Sequence, residues 1–400
     1  MISVRRDTQE RDAAMAYWQR RAFNISQMRR LAEAALPKPV FDFADGGAED
    51  ERTLQRNEND FSAYRFLPQP LRGAGSIDLT TKIFGTPLSM PLMIGPTGLA
   101  GLFWPDGERA TARAAARAGT IYCLSHGSVC RLEDLNANDI GPRWMQVFIY
   151  RDRGFTRELA ERAAAANYGA LILTVDNQYL GRRERDLVNG FSIPPRFGLF
   201  DLIAMAGKAG WMRRMIPELP RITFGNYVRA GEASDIKTLA GRMQSLLDPD
   251  MSWADVDQLR KVWKGPLIIK GLLHPDDARE AINHGVDGII VSNHGGRQLD
   301  DAISGVAALP AIVNAVQGQM PIMVDGGFRR GSDIIKAVAL GAAVCLIGRP
   351  HLWGVSVAGE AGVTHVLELY RQEMTRVMGL LGAKTLHDLG PQMLVTPQRS

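Results

Sequence analysis

Short apolar runs alternate with helical patterns along most of the chain. Eight runs have the length of a buried strand, and patterns with apolar residues three and four positions apart fill most of the intervals. Eight strands that alternate with helices predict an α/β fold, a (β/α)8 TIM barrel of parallel strands. The strand-like runs cover 92–95, 120–125, 144–150, 169–176, 266–271, 288–292, 321–327 and 344–349, and the helical patterns cover 107–118, 154–167, 275–284, 306–317, 331–340 and 359–381.

An open, doubly wound sheet is the alternative arrangement of the same elements. Its dinucleotide fingerprint, GxGxxG after the first strand, is absent from the sequence, which favours the barrel. Helical patterns over 25–35 and 40–44 precede the first strand and predict an N-terminal helical extension. The expected organisation is an N-terminal arm and helix over 1–36, a barrel over 37–389 and a C-terminal tail over 390–400.

One interval is much longer than an ordinary βα connection. Almost 90 residues separate Asp176 from Pro266, which predicts a long insertion after strand 4, over about 190–250. The part over 190–230 carries six basic and two acidic residues, a balance of +4, together with many aromatic and aliphatic side chains. This composition suits an amphipathic element that lies on a membrane surface, and equally a lid that packs its apolar side on the barrel.

Bulk composition narrows the classes of function. The 400 residues are 46% hydrophobic and 22% charged, which is typical of a soluble globular protein, and a net charge of +4 is too small to indicate nucleic-acid binding. The three cysteines lack metal-binding spacing and favour a reduced, cytoplasmic location, so no metal is expected. Residues 1–12 do not resemble a secretory signal, and no apolar run predicts a membrane-spanning helix.

Polar residues follow the predicted strands, at the face of a barrel where function gathers. After strand 6, the stretch Ser292-Asn293-His294-Gly295-Gly296-Arg297-Gln298-Leu299-Asp300, called the 292–300 stretch below, places an imidazole and a guanidinium three residues apart. This pair suits an anionic substrate that loses a proton, and Asp176 at the end of strand 4 is placed to orient the His294 ring.

The ends of the last strands predict a phosphate site. Asp325–Arg329 and Gly348–Arg349 are glycine-rich turns with arginines, in the position where barrels usually bind phosphate. Lys270 at the end of strand 5 would supply positive charge beside a cofactor, or would pair with a carboxylate of the barrel. The phosphate would belong to a substrate or to a cofactor.

The 292–300 stretch resembles the signature of the FMN-dependent α-hydroxy-acid oxidising family, which includes glycolate oxidase, L-lactate dehydrogenase and (S)-mandelate dehydrogenase. The resemblance extends from about Pro37 to about Leu389. The stretch Met90–Gly98 with Trp104-Pro105 is similar to the mandelate dehydrogenase branch, and Asp248–Trp253 is similar to membrane-associated lactate dehydrogenases. The family implies an FMN cofactor, an L-2-hydroxy acid as substrate, a quinone or O2 as electron acceptor, and a homotetramer. If 190–230 is the membrane-lying element and not the lid, the expected location is cytoplasmic with peripheral contact at the inner face of the cell membrane.

The resemblance also implies a role for each matching residue. His294 would be the catalytic base with Asp176 as its partner, and Arg297 and Arg183 would bind the substrate carboxylate. Lys270 would stabilise negative charge on the reduced flavin, whether the electrons leave as a hydride or through a carbanion. The other positions that would line or hold FMN are Pro96, Thr97, Gly98, Ser125, Gln146, Thr174, Ser292, Asp325, Gly326, Gly327, Phe328, Arg329, Gly348 and Arg349.

Three substrate-side positions depart from the family pattern. Phe43 and Phe148 replace two tyrosines whose hydroxyls contact substrate, and His126 follows Ser125 where the family has a small residue or Ser/Thr. Two donors are lost, and His126 replaces one only if its ring turns into the site rather than toward the backbone. The sequence therefore predicts a bulky or aromatic 2-hydroxy acid, with a specialised metabolite as the alternative substrate.

Two further functions fit parts of the pattern less well. A phosphate-binding barrel isomerase without flavin is disfavoured by Pro96, Lys270 and His294 together. A flavin-binding protein without catalytic activity is disfavoured because His294 and Asp176 are both present.

Overall fold

The computed structural model describes residues 17–135, 140–191, 205–227 and 247–396. Eight of its strands, β4 to β11, are parallel neighbours and form a closed barrel, which confirms the predicted TIM barrel. The strands are β1 (Arg65–Phe66), β2 (Thr81–Ile83), β3 (Thr86–Leu88), β4 (Leu92–Ile94), β5 (Tyr122–Leu124), β6 (Arg143–Val147), β7 (Leu171–Thr174), β8 (Leu267–Leu272), β9 (Gly288–Val291), β10 (Ile322–Asp325), β11 (Val344–Ile347) and β12 (Leu394–Val395).

Helices surround this barrel and precede it. The predicted helix over 359–381 is the second half of a longer helix, which is broken by non-helical backbone at Ala358 and Gly359. The α-helices are α1 (Ile25–Ala35), α2 (Lys38–Asp45), α3 (Arg52–Asn59), α4 (Gly107–Arg117), α5 (Arg153–Ala165), α6 (Glu184–Val188), α7 (Ala209–Met215), α8 (Trp253–Val262), α9 (Pro275–Asn283), α10 (Gly305–Val316), α11 (Gly331–Ala339) and α12 (Arg349–Leu381).

The barrel strands are apolar on both faces because both faces are buried. One set of side chains, including Met93, Ile172 and Ile290, fills the barrel interior. The hairpin formed by β2 and β3 adds Ile83 and Leu88 to this interior cluster. It closes the end at which the strands begin, so that the opposite end, where the strands finish, is left for a site.

The described part of the insertion packs on the barrel. Trp211, Met215 and Phe224 are buried in the main hydrophobic core, and Lys208 donates hydrogen bonds to two backbone carbonyls of α1. For residues 205–227 the structure therefore agrees with the lid alternative. The apolar residues of 190–230 that precede position 205, from Phe197 to Ile203, lie outside the described residues, as does the arm over 1–16.

The described parts of the N-terminal and C-terminal regions pack on the barrel body. Helix α1 packs against α12, and β12, within the predicted tail, pairs with β1. Among the residues that the structure covers, no helix combines the length and the apolar character needed to cross a membrane.

Candidate active site

A cavity of about 350 Å³ opens where the barrel strands end. Every site residue predicted from the sequence lines it except Asp176 and Ser292, which lie directly behind the lining. Those that line it are Phe43, Pro96, Thr97, Gly98, Ser125, His126, Gln146, Phe148, Thr174, Arg183, Lys270, His294, Arg297, Asp325, Gly326, Gly327, Phe328, Arg329, Gly348 and Arg349.

The turn that carries His294 has an unusual backbone. His294, Gly295 and Gly296 have φ angles of 58°, 65° and 72°, three consecutive residues in the left-handed region. That conformation costs free energy for a residue with a Cβ, so His294 is held there by its surroundings. At Gly296 a Cβ would lie 2.6 Å from the backbone nitrogen of Leu54 in α3, which leaves room only for glycine.

Helix α3, which the sequence analysis did not predict, supports this turn. The side-chain amides of Asn57 in α3 and Asn293 in the 292–300 stretch exchange two hydrogen bonds, at 2.9 and 2.8 Å. The Asp300 carboxylate accepts hydrogen bonds from the backbone N–H groups of Arg52 and Thr53 at the start of the same helix. Asn293 and Asp300 therefore fix the loop, and His294 and Arg297 of the same stretch line the cavity.

His294 and Asp176 form the predicted pair. His294 Nδ1 lies 2.8 Å from Asp176 Oδ1, which directs the rest of the ring to the cavity. Burial by itself would raise the pKa of the Asp176 carboxyl, but His294 and Lys270 more than offset it and hold that pKa below its ordinary value. The approach depends on Gly271, at an irregularity in β8, because a Cβ there would lie 2.8 Å from Asp176 Cβ.

Lys270 is a buried cation in the cavity wall. Its Nζ donates to Ser292 Oγ at 2.9 Å and pairs with Asp325 Oδ2 at 3.1 Å. Burial lowers the pKa of Lys270, but the carboxylates of Asp325 and Asp176 raise it to a net value above the ordinary one. Ser292 Oγ also accepts from the backbone N–H of His294 at 3.0 Å, so Ser292 supports both residues instead of lining the cavity.

The positive charge of the cavity comes from Lys270 and from four lining arginines, which are Arg183, Arg297, Arg329 and Arg349. Burial, reinforced by repulsion from Arg183 and Arg349, places the pKa of Arg297 well below its ordinary value. Arg297 donates to the backbone oxygen of Gly46 and lies over the Phe43 ring. Arg349 donates to three backbone carbonyls, so it contributes charge to the site rather than a free pair of donors. An anion at Arg297 and Arg183 would relieve this repulsion.

The cofactor side of the cavity fits a flavin mononucleotide. Thr174 Oγ1 and Asp325 Oδ1 are buried and have no hydrogen-bond partner within the described ranges. A polar group bound in the cavity would satisfy both. Gly326 and Gly327 have φ angles of 97° and 78°, and a Cβ on Gly327 would overlap the backbone oxygen of Asn57. Lys270 would contact the ring system, and the turns after β10 and β11 would hold the single phosphate.

The substrate side of the cavity is mostly apolar. Phe43 stacks on Phe191 with ring centroids 4.6 Å apart, and Phe148 lies 4.2 Å from the His126 ring. Phe224, from the insertion, and Leu180 complete this wall. Neither was predicted, because nothing in the local sequence marks a residue of a long insertion as part of a barrel site.

The His126 ring lies in the cavity wall and is not turned away toward the backbone. Its Nδ1 is within hydrogen-bond distance of the hydroxyls of Tyr150 and Tyr227, and within the described ranges the ring has no hydrogen bond to backbone. Burial, with a smaller contribution from His294, lowers the pKa of His126 to about 3, so the ring is neutral. Neither tyrosine was predicted as a partner of His126, although Tyr150 closes the predicted strand over 144–150 two residues after Phe148.

The chain is similar to known proteins over most of its length. The model of the FMN-dependent dehydrogenase family matches residues 32–396. An L-lactate oxidase from Nostoc sp. is 42% identical, over 93% of this chain and 97% of its own. An L-lactate dehydrogenase from Chromohalobacter salexigens is 40% identical, over 92% of this chain and 94% of its own. The crystal structure of the monotopic membrane protein (S)-mandelate dehydrogenase superposes with a TM-score of 0.89 at 37% identity, covering 94% of this chain and 99% of that one.

The matches span nearly the whole chain and both sides of the cavity. Proteins named for lactate and mandelate are all similar to it, which does not favour a specialised metabolite as substrate. The chain therefore belongs to the FMN-dependent dehydrogenase family and is an FMN-dependent enzyme of 2-hydroxy-acid oxidation.

Proposed function

We propose that this enzyme oxidises an L-2-hydroxy acid with a bulky, preferably aromatic, side chain to the 2-oxo acid. His294 would be the base. The observation that carries the proposal is the composition of one cavity, in which His294, paired with Asp176, and the arginines meet Phe43, Phe148 and Phe224. The pair and the arginines suit any 2-hydroxy acid, and the wall selects among them.

The residues divide the reaction between them. Arg297 and Arg183 would bind the carboxylate and fix the substrate carbon that bears the hydroxyl. His294 would take a proton from the substrate, and the Asp176 carboxylate, 2.8 Å from Nδ1, would stabilise the imidazolium that forms. FMN, when bound, would supply the oxidising power as the acceptor of the two electrons and the second hydrogen that the substrate loses. Lys270, buried beside it, would stabilise the negative charge that results.

The wall supports a bulky substrate on energetic grounds. A small acid loses the two phenolic hydrogen bonds that Phe43 and Phe148 no longer provide, and gains nothing from the apolar surface. A phenyl or branched aliphatic side chain that packs on this surface gains roughly 1.5–3 kcal/mol from burial. The proposed preference is therefore for mandelate-sized acids over lactate and glycolate.

The electron acceptor is proposed to be a membrane quinone, with O2 as the alternative. The similarity to a monotopic mandelate dehydrogenase supports peripheral contact with a membrane through the insertion. Since Trp211, Met215 and Phe224 pack on the barrel, the contact would be made by other residues of 190–230, whose sequence is also basic and apolar. A homotetramer, the family's assembly, is proposed with it.

The test is an anaerobic reduction of the enzyme-bound flavin. Purified enzyme is mixed with the two enantiomers of mandelate, and bleaching of the flavin absorbance is followed by stopped flow. The L form should bleach the flavin, and His294→Ala should retain FMN and be reduced roughly 10²–10⁴-fold more slowly. Reduction of the variant at the wild-type rate would place the base elsewhere.

A further inference from the structure

The hydroxyls of Tyr150 and Tyr227 and the Nδ1 of His126 form a closed triangle behind the cavity wall. Tyr150 Oη is 2.9 Å from His126 Nδ1 and 2.6 Å from Tyr227 Oη, and Tyr227 Oη is also in contact with Nδ1. Both hydroxyls bond to these partners alone among the described residues. Tyr150 is fully buried and Tyr227 partly buried, so the donors in the triangle must be satisfied largely within it.

Counting donors decides which ring nitrogen carries the hydrogen. If Nδ1 carried the hydrogen, the triangle would contain three donor hydrogens but only the two phenolic oxygens as acceptors. One hydroxyl would then have no acceptor for its hydrogen. If Nδ1 is an acceptor, one tyrosine donates to it and the other donates to the first, so every donor is used. The buried triangle therefore favours a neutral ring with its hydrogen on Nε2. The lowered pKa of His126 is consistent with a ring that remains neutral.

The other side of the ring faces the cavity. His126 lines the cavity. Some polar atoms in the described part of the chain are fully buried without a partner, and His126 Nε2 is not among them, so this atom is open to the cavity. The ring lies against Phe148, the position at which the family pattern has a tyrosine. A donor at Nε2 would therefore serve the same region of the substrate as the phenol that this chain lacks.

The position of Tyr227 is fixed by the loop that carries His126. Asn226 Nδ2 donates to the backbone oxygen of His126 at 3.1 Å and to Ser128 Oγ at 3.0 Å, and the backbone N–H of Gly225 donates to the oxygen of Ser128. A Cβ on Gly225 would lie 2.5 Å from the backbone oxygen of Val129. The insertion is thus attached to the His126 loop directly next to the triangle.

We propose that Tyr150 and Tyr227 hold His126 in the tautomer with hydrogen on Nε2, so that His126 donates a hydrogen bond to an oxygen of the bound 2-hydroxy acid. His126 would be a substrate-binding residue, and the tyrosines would be positioning residues. The same cavity would then contain two histidines with opposite roles. A carboxylate makes His294 an acceptor of protons, and two phenols make His126 a neutral donor. The part concerning substrate rests on the proposed function, whereas the tautomer does not.

The tautomer is tested first, in the FMN-loaded enzyme without substrate. The protein is labelled with ¹⁵N-histidine, and the His126 signals are assigned by their loss in His126→Ala. We expect a protonated Nε2 and an unprotonated Nδ1. Tyr150→Phe and Tyr227→Phe each leave one hydroxyl in contact with Nδ1 and serve as matched controls that keep this pattern. The double variant removes both donors and should show a mixture of tautomers. A protonated Nδ1 in the wild type would overturn the proposal.

Substrate contact is tested by titrating each protein with phenylglyoxylate, the 2-oxo acid of mandelate, and following the flavin spectrum. The single variants should bind within about threefold of the wild type. His126→Ala and the double variant should bind roughly 10- to 100-fold more weakly, as expected for a lost hydrogen bond to a charged group. Unchanged binding in both would overturn the assignment of His126 as a substrate donor. If no 2-hydroxy acid bleaches the flavin, the proposed function fails while the tautomer result still stands.

Discussion

Replacing Asp176 with asparagine should slow flavin reduction while FMN stays bound. The side chain keeps its size, so the packing around Gly271 is preserved. What is lost is the negative charge 2.8 Å from His294 Nδ1, at a carboxylate whose side chain is only 13% exposed. That charge is needed when His294 becomes an imidazolium, so the loss should affect the reaction rate far more than the affinity for FMN.

The expected size follows from two estimates. A hydrogen bond to a charged group contributes about 1.5–3 kcal/mol, which corresponds to a roughly 10- to 150-fold slower reduction. A charge pair at about 4 Å in an effective dielectric of about 20 is worth about 4 kcal/mol, which sets an upper limit near 10³-fold. We therefore expect the limiting rate of reduction to fall by between one and three orders of magnitude.

The assay is anaerobic stopped flow at saturating substrate, with the FMN content measured on each preparation. Asp301→Asn is the matched control, because Asp301 is exposed, has a positive φ that asparagine tolerates, and pairs only with arginines of α3 in the described structure. The same change is also made in the His294→Ala background. If Asp176→Asn slows that background by the same factor as the wild type, Asp176 does not act through His294 and the reasoning is refuted.

Three further predictions concern substrate size, acid stability and membrane contact. The double variant Phe43→Tyr, Phe148→Tyr should gain at least tenfold in kcat/KM for lactate, and no gain would contradict the role of the wall. Burial depresses the pKa of His351 from 6.5 to about 3. The unfolded chain therefore binds a proton at this histidine below pH 6.5, and the folded chain does not. The free energy of unfolding should fall by about 1.4 kcal/mol for each pH unit from pH 6.5 toward 3. Thermal unfolding of His351→Asn should show a flatter acid limb, and an equally steep limb would argue against this origin. Anionic vesicles should bind the enzyme less at high salt, and Phe197→Ser, Phe200→Ser should weaken binding without changing reduction by soluble substrate; unchanged binding would exclude these residues as the contact.

The hydrophobic pattern was sufficient to predict the barrel and its eight strands. The predicted strands mostly extend one to three residues beyond the observed ends, as at Thr174 and Val147. Those extra residues include Phe148 and Asp176, which line or support the cavity, and buried residues continue past the end of β6 through Tyr150. Because buried residues continue past the end of a strand, the hydrophobic pattern predicts the strand but does not locate its end.

The missed features have a common physical cause. Helix α3 is almost entirely polar, and it is held by contacts with residues more than 230 positions away, including Asn293 and Asp300. Tyr227 reaches His126 across 101 positions, through a turn of the insertion fixed by Asn226. Periodicity reports how a segment buries its own apolar face, so contacts fixed by distant partners leave no local trace.

The most direct test of the account is a comparison of substrates on the wild-type enzyme. Anaerobic reduction is measured with L-mandelate, L-lactate and glycolate under identical conditions, and kcat/KM is compared for the three. The phenylalanine wall and the missing phenols predict that L-mandelate exceeds both small acids by at least about tenfold. Lactate or glycolate reducing the flavin as efficiently as mandelate would contradict the proposed selectivity.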